Sequence, residues 1–270
     1  KVSANPAEKQ TFDKVLVRQS FGLAAESYNQ FTSLQRTIGD RLFAGIAGSE
    51  QRLMSALDIG SGTGYLTEKI NQLDRVNQLY ALDICSQMLK QTQLNMHGLK
   101  PLRLICADAE RLPLDDSIVG LVCSNLAYQW CSDLQRAFDE SYRVLQPQGS
   151  FVISTFGEKT LHELKDSWGN VDQAVHVNTF VDIETITGYL QKAGFKDISL
   201  QSEDIVRYYQ TPKDLMLELK GMGAHNINKG RKPGLTGVHG FKSMLDMYES
   251  RRTDKGIPAT FQALYAYANK

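Results

Sequence analysis

The feature that most constrains the fold is a glycine-rich turn at residues 57–64, which read Leu-Asp-Ile-Gly-Ser-Gly-Thr-Gly. Apolar residues predict the end of a buried strand over 53–58, and the residues after the turn predict a helix over 64–73. Gly60 and Gly62 can adopt positive φ, and without a Cβ they let a ligand approach the backbone closely. This order of strand, turn and helix is typical of a nucleotide-binding α/β unit, in which the helix N-terminus offers free N–H groups.

Three carboxylates stand at the carboxyl ends of three predicted strands. Asp58 lies in the glycine turn, and Asp83 follows a strand over 77–82, about 25 residues later, where such folds place an acid against a ribose hydroxyl. Asp108 follows a third strand, over 102–107. We therefore expect the three acids to face one crevice; the alternative is that they are solvated loop carboxylates.

The region 53–155 alternates predicted strands and helices, which favours a parallel, doubly wound sheet. Residues 9–47 are predicted to be helical, with breaks at Gly22 and at 27–30, and can lie over the crevice. The turn at 147–149 is predicted to lead into the fifth strand, and a glycine-rich loop is predicted over 221–234. The remaining predicted strands are 118–124, 149–155, 197–209 and 259–268, and the remaining predicted helices are 86–97, 133–145, 161–171, 183–193, 212–220 and 241–248.

Charge and cysteine usage exclude several classes of protein. The chain has 30 Lys and Arg against 30 Asp and Glu, so its net charge does not favour nucleic-acid or membrane binding. No apolar run approaches membrane-spanning length, and the first residues lack the pattern of a signal peptide. The four cysteines form no C-x-x-C pair, so we expect free thiols, no structural zinc and a cytoplasmic protein.

As a set, the motifs resemble the class I S-adenosylmethionine-dependent methyltransferases. The resemblance rests on 58–64, Asp83, Asp108-Ala109 and Asn125-Leu126. It implies a Rossmann-like α/β sheet of seven strands whose last strand runs antiparallel, with S-adenosylmethionine as cofactor and S-adenosylhomocysteine as product. The cofactor-binding residues that follow are Asp58, Gly60, Gly62, Asp83, Ile84, Met88, Asp108, Ala109 and Asn125.

A closer resemblance covers nearly the whole chain, to the malonyl-[acyl-carrier protein] O-methyltransferases of biotin synthesis. It rests on five stretches, namely 21–28, 34–36, 124–131, 176–180 and 219–224, together with Gly230-Arg231. It implies an N-terminal helical lid over 1–47 and a methyltransferase domain over 48–270. Within that domain, 160–193 and 211–250 are expected to form a helical cap on the substrate side.

The implied reaction is methylation of a free malonyl carboxylate on acyl carrier protein or coenzyme A. A carboxylate is already ionised at neutral pH, so neither a general base nor a metal is needed. Catalysis then depends on holding the acceptor oxygen in line with the methyl group and excluding water. Tyr28, Gln35 and Arg36 are the polar candidates in the lid. The residues expected to act on the acceptor are Tyr28, Arg36, Asn125, Gln129 and Trp130.

A basic region suggests where an acidic carrier protein would bind. Residues 207–252 hold nine Lys and Arg against four Asp and Glu, although a charged run is often only a solvated face. Beside the crevice, such a surface would steer an acidic partner. Lys220, Arg231 and Lys232 are therefore predicted to dock the carrier, and a monomer is favoured.

The sequence leaves two other functions open. One is methyl transfer to another acceptor, such as a quinone or a small free acid. The other is a non-catalytic module that has kept the fold and binds S-adenosylmethionine. An NAD-dependent oxidoreductase is disfavoured, because the turn lacks the third-glycine spacing of the pyrophosphate motif and because Asp108 follows the third strand.

Overall fold

The computed structural model describes residues 13–49, 54–96, 101–171, 176–221 and 238–270. The strands are β1 Ser55–Ile59, β2 Gln78–Asp83, β3 Leu102–Cys106, β4 Val119–Asn125, β5 Leu145–Phe156, β6 Lys196–Tyr209 and β7 Ile257–Asn269. The helices are α1 Lys14–Ala24, α2 Ser33–Ala47, α3 Tyr65–Asn71, α4 Ser86–Asn95, α5 Leu134–Val144, α6 His162–Gly169, α7 Ile183–Ala193, α8 Pro212–Gly221 and α9 Val238–Glu249. Two short 3-10 helices cover Tyr28–Gln30 and Tyr128–Trp130.

The seven strands form one sheet in the order β3-β2-β1-β4-β5-β7-β6. Strands β1 to β5 pair in parallel, whereas β7 lies antiparallel between β5 and β6. The expected α/β sheet with an antiparallel last strand is confirmed. The chain reverses its strand order beside β1, where β2 and β4 flank it, and such a switch point leaves a crevice at the carboxyl ends of the strands.

The sheet is covered on both faces, which is why its central strands are buried and mainly apolar. All five residues of β1 are buried. Ala56 joins the core beneath α2, whereas Leu57 and Ile59 join the core beneath α5, as the two-residue period of a strand requires. Helix α2 contributes Leu34, Ile38, Leu42 and Ile46, spaced four apart along one face.

The structure corrects three details of the predicted elements. Strand β5 begins at Leu145, so residues 147–149 form a bulge within the strand rather than a turn before it. Gln148 has φ +64°, and the pairing of β4 with β5 shifts register there, because the chain must absorb extra residues before the ladder resumes. Gly22 lies inside α1 and does not break it, whereas the break predicted at 27–30 is confirmed, since α1 and α2 are separated by residues 25–32.

The third correction concerns α9, which begins at Val238, three residues before the predicted start. The predicted glycine-rich loop at 221–234 lies outside the described residues apart from Gly221, which ends α8. Within the described ranges, no helix is long and apolar enough to span a membrane.

Candidate active site

The glycine turn at the end of β1 has the backbone that its sequence predicts. Gly60, Gly62 and Gly64 have φ of +69°, +56° and +92°. A Cβ on Gly60 would come within 2.2 Å of the Cβ of Ala127, so the loop after β4 packs directly on this glycine. A Cβ on Gly62 would have no neighbour nearer than 3.9 Å, which leaves the turn open to a ligand.

Asp83, at the end of β2, braces this turn. Its Oδ2 accepts a hydrogen bond from the backbone N–H of Gly62 at 2.9 Å, and its Oδ1 accepts one from Cys85 N–H at 2.8 Å. Burial, opposed by these two bonds, raises the pKa of Asp83 to about 6. The carboxylate is thus oriented toward the crevice, where it can accept further hydrogen bonds from a diol.

Asp58 is the most buried acid of the site, at 1% exposure. Its Oδ2 accepts a hydrogen bond from Thr67 Oγ1 at 2.6 Å, but its Oδ1 has no partner among the described residues. Burial, opposed by the Thr67 bond and assisted by the charge of Asp83, raises the pKa of Asp58 to about 7. An orphaned carboxylate oxygen is costly unless a donor or cation reaches it, so this oxygen indicates a place for a ligand ammonium group.

Three adjoining cavities lie along the carboxyl edge of the sheet. The first, the cofactor cleft, contains about 780 Å³ of space that is partly open to solvent, which is the size of a small-molecule site. Eight of the nine predicted cofactor-binding residues line it, namely Gly60, Gly62, Asp83, Ile84, Met88, Asp108, Ala109 and Asn125. The ninth, Asp58, lines the third cavity with the glycine turn.

These residues fit S-adenosylmethionine. The open turn at Gly62 admits a ligand against the backbone, and the orphaned oxygen of Asp58 can receive the amino-acid ammonium. Asp83 can accept from the ribose hydroxyls, while Ile84 and Met88 supply apolar walls. The assignment of individual cofactor contacts stays a prediction.

The second cavity, the acceptor cavity, lies beside the cofactor cleft and is mainly apolar and aromatic. It shares four residues with the cleft: Phe21, Tyr28, Leu126 and Trp130. Its polar lining residues are Gln35, Gln129, Thr160, His176 and Asn178. The two spaces are therefore neighbours across a narrow aromatic boundary.

Tyr28 holds the central position, because it lines the cofactor cleft, the acceptor cavity and the third cavity. Burial and the charge of Asp83 raise the pKa of Tyr28 above its usual range. Its hydroxyl therefore stays protonated at physiological pH and can act as a hydrogen-bond donor.

The other predicted acceptor residues divide between the cavities. Arg36 lines the third cavity, with its guanidinium 5.2 Å from the centroid of the Tyr65 ring, and is absent from the lining of the acceptor cavity. Gln129 lines the acceptor cavity, and its Oε1 accepts from Thr155 Oγ1 at 3.1 Å. The ring of Trp130 packs edge-on against that of Phe21, with the two ring centroids 5.4 Å apart.

Asn125 has a structural task that the sequence did not reveal. Its Nδ2 donates to Gln35 O at 2.9 Å, and its Oδ1 accepts from Ser154 Oγ at 2.7 Å. The side chain therefore ties α2 to β5 at the base of the cleft. These two hydrogen bonds favour a role for Asn125 in positioning α2, while its direct contact with the acceptor stays a prediction.

The three predicted docking residues are only partly described. Lys220 is exposed near the end of α8, next to Leu219, which lines the acceptor cavity. Arg231 and Lys232 lie outside the described residues.

Sequence reasoning missed Lys14. This residue lines the cofactor cleft, and its Nζ lies 2.5 Å from Asp108 Oδ2 and 2.6 Å from Glu110 Oε2. No local pattern could have indicated a pairing between residues 94 positions apart. Phe21, which the sequence indicates only as part of the stretch 21–28, lines both the cleft and the acceptor cavity.

The site shows no metal-binding arrangement in the part of the chain that the structure describes, where no group of three or more His, Cys, Asp or Glu side chains could hold a metal ion. All four cysteines are free.

Comparison with known proteins identifies relatives that are described as methyltransferases. Residues 57–153 match a family model described as a methyltransferase domain. The chain is 35% identical over 266 residues to a malonyl-[acyl-carrier protein] O-methyltransferase of Halorhodospira halophila, covering 98% of this chain and 90% of that protein. It is 36% identical to the protein of the same name from Methylococcus capsulatus, with 96% and 95% covered.

Among solved structures, the YcgJ protein of Bacillus subtilis has a similar fold, with a TM-score of 0.61 at 18% identity. The similarity covers 85% of this chain and 97% of that one.

Proposed function

The chain belongs to the malonyl-[acyl-carrier protein] O-methyltransferase family, and from this premise we propose that it methylates the free carboxylate of a malonyl group carried on acyl carrier protein. The methyl donor is S-adenosylmethionine, and the product is the malonyl methyl ester from which the pimeloyl chain of biotin is built. The observation that carries the proposal is the shared boundary of Phe21, Tyr28, Leu126 and Trp130, which joins the cofactor cleft to an acceptor cavity.

The chemistry asks for positioning rather than for acid–base catalysis. S-adenosylmethionine supplies an electrophilic methyl group on a positively charged sulfur. The malonyl carboxylate is ionised at neutral pH and attacks without losing a proton. The residues at the boundary must align its oxygen with the methyl group and keep water out, and the apolar rings of Phe21 and Trp130 suit that task.

Tyr28 is the donor best placed to hold the acceptor carboxylate. Its hydroxyl stays protonated, and the residue lines both the cleft and the acceptor cavity. Gln129, whose Oε1 already accepts from Thr155, keeps its amide N–H groups for the same carboxylate. Each hydrogen bond to a charged group of this kind contributes about 1.5–3 kcal/mol.

The position of Arg36 favours a different carboxylate from the one that the sequence suggested. Arg36 lines the third cavity together with Asp58 and the glycine turn, at the amino-acid end proposed for the cofactor. There its guanidinium can pair with the α-carboxylate of S-adenosylmethionine, while Asp58 faces the ammonium group. This division gives the zwitterionic end of the cofactor one partner of each charge.

The carrier protein is proposed to dock beside the acceptor cavity. Lys220 is exposed at the end of α8, and its neighbour Leu219 lines that cavity. An acidic carrier approaching this surface could pass its phosphopantetheine arm inward. Arg231 and Lys232 remain candidates for the same docking surface on sequence grounds.

The test uses purified protein, labelled S-adenosylmethionine and malonyl-acyl carrier protein, followed by mass spectrometry of the acyl chain. We expect a gain of one methyl group that is lost on mild alkaline treatment, because esters hydrolyse and C-methyl groups do not. A methyl group that resists alkali, or intact cofactor binding without any transfer, would contradict carboxyl methylation and favour another acceptor or a non-catalytic module.

A further inference from the structure

Lys14 joins the first turn of α1 to the cofactor cleft through two carboxylates. Its Nζ lies 2.5 Å from Asp108 Oδ2 and 2.6 Å from Glu110 Oε2. The side chains of Lys14 and Asp108 are each 31% exposed and that of Glu110 is 10% exposed, so water screens these ion pairs only partly. Partial burial lowers the pKa of Lys14, and its bonds to the two acids outweigh that effect and raise it.

The acids that receive Lys14 are themselves fixed to the body of the protein. Glu110 Oε1 accepts from the backbone N–H groups of Ser132 and Asp133, at the start of α5, at 2.6 and 3.0 Å. Asp108 Oδ1 accepts from Glu110 N–H at 3.0 Å. Lys14 is therefore paired with two carboxylates that backbone N–H groups already hold in place.

Helix α1 covers the cleft on the side where Lys14 is fastened. Val17, at 3% exposure, and Phe21 lie on the same face of α1 as Lys14, and all three line the cleft. Phe21 and Val17 pack on Trp130. A cofactor bound against Asp83 and Asp108 would lie beneath this face, so α1 would narrow the opening through which the cofactor enters and leaves.

We propose that Lys14 is a positioning residue that fastens α1 over the Asp108 end of the cofactor cleft through two ion pairs and thereby slows cofactor exchange. Lys14 also fixes the orientation of the Asp108 carboxylate, which leaves a defined set of lone pairs for the cofactor. The inference rests on the proposed function only in taking S-adenosylmethionine and S-adenosylhomocysteine as the ligands of the cleft.

The test measures the rate at which S-adenosylhomocysteine leaves the enzyme, by stopped-flow displacement with tryptophan fluorescence. Trp130 lines the cleft and touches α1, so it reports on both the ligand and the helix. We expect Lys14→Met to raise the dissociation rate roughly tenfold or more, because both charge-assisted contacts of Lys14 are lost. Lys14→Arg, which keeps the charge, should restore most of the slow release.

Two readouts separate fastening from a general loss of structure. Dissociation from the wild-type enzyme should accelerate with ionic strength, because salt weakens partly exposed ion pairs, whereas dissociation from Lys14→Met should be insensitive to it. The KM for S-adenosylmethionine should rise in Lys14→Met while the KM for malonyl-acyl carrier protein stays unchanged. Arg18→Met, an exposed cation one turn further along α1, is the matched control and should behave as wild type.

A Lys14→Met variant that releases S-adenosylhomocysteine at the wild-type rate, or that keeps the wild-type salt dependence, would overturn the inference. Equal acceleration in Arg18→Met would also overturn it. If wild-type protein failed to bind S-adenosylhomocysteine at all, the proposed function would fall, and the inference with it. Binding without transfer to malonyl-acyl carrier protein would remove the proposed function alone.

Discussion

Among single residues, Asp83 and Asp58, the two buried acids of the site, differ in whether both of their carboxylate oxygens have a hydrogen-bond partner. Asp83 is satisfied by the backbone of Gly62 and Cys85, so it shapes the glycine turn before any ligand arrives. Asp58 keeps one oxygen without a partner among the described residues. Asp83 is therefore already oriented for a ligand. Asp58, by contrast, gains a partner for its second carboxylate oxygen only when a ligand binds.

Replacing Tyr28 by Phe tests the proposed donor to the acceptor carboxylate. We expect kcat/KM for malonyl-acyl carrier protein to fall roughly tenfold to a hundredfold, because one hydrogen bond to a charged group is lost. The Kd for S-adenosylhomocysteine, measured by calorimetry, should change little. The control is Tyr208→Phe, since Tyr208 is an exposed tyrosine on β6. An unchanged kcat/KM in Tyr28→Phe would show that the Tyr28 hydroxyl does not hold the acceptor carboxylate.

Replacing Arg36 by Met decides which carboxylate this cation holds. We expect the Kd for S-adenosylmethionine to rise roughly tenfold, the effect of a lost charge-assisted pair, with the KM for the acceptor unchanged. The control is Arg41→Met, on the same helix, where the side chain pairs with Glu203 instead. The opposite pattern in steady-state kinetics would assign Arg36 to the malonyl carboxylate.

At the scale of elements, β1, the glycine turn and α3 form a unit whose geometry is local. The positive φ of Gly60 and the absence of its Cβ allow the chain to turn while Ala127 packs against it. Helix α1, by contrast, has no local reason to lie where it does. Its position depends on Lys14, Phe21 and the acids at the far side of the cleft.

A Gly60→Ala substitution tests the turn. The new Cβ would come 2.2 Å from that of Ala127, at a positive φ that alone costs about 1–2 kcal/mol for a residue with a side chain. We expect a clear loss of stability in chemical denaturation and loss of cofactor binding by calorimetry.

The matched control for this turn is Gly188→Ala in α7, where a Cβ would meet nothing within 4 Å. This substitution should stabilise the protein by about 0.5–1 kcal/mol, since Ala favours the helix. Equal stability of the two variants would contradict the packing of Ala127 on Gly60.

At the scale of the whole molecule, the site exists only because distant parts of the chain meet. The three cavities are lined by residues from the N-terminal region and from the carboxyl ends of the parallel strands. The region after β5 adds residues to the acceptor cavity. Because the acids at this junction are buried, their protonation affects the free energy of unfolding of the whole protein.

Stability should therefore depend on pH through Asp58. Its pKa is about 7 in the folded protein and about 3.9 when unfolded, so the folded state retains a proton that the unfolded state loses. Folding is then penalised increasingly as the pH rises from about 4 to 7. Relative to wild type, Asp58→Asn should gain up to about 2–3 kcal/mol of unfolding free energy between pH 5 and pH 8.

Urea denaturation of cofactor-free protein at several pH values measures this difference. Because every other titrating group is common to the two proteins, only the difference between their curves is informative. A difference that stays constant with pH would show that Asp58 does not retain its proton in the fold.

Docking of the carrier is also a property of the whole surface. We expect Lys220→Glu to raise the KM for malonyl-acyl carrier protein several-fold at low salt, because a charge reversal repels an acidic partner. The KM for malonyl-coenzyme A should change less. The control is Lys90→Glu, since Lys90 is an exposed lysine on α4. Unchanged kinetics in both Lys220→Glu and Arg231→Glu would refute the proposed docking surface.

Three features can be predicted from the sequence alone: the strand–turn–helix unit, the alternation that builds the parallel sheet, and the three acids at the edge of that sheet. These features follow from local rules, because glycine conformation, two-residue and four-residue periods and chain order act over a few residues. The resemblance added the antiparallel last strand. Three other features depend on long-range packing: Tyr28 lines three cavities, Asn125 ties α2 to β5, and Lys14 pairs with Asp108. Those contacts join segments far apart in the chain, and their partners are set by how helices pack on the finished sheet.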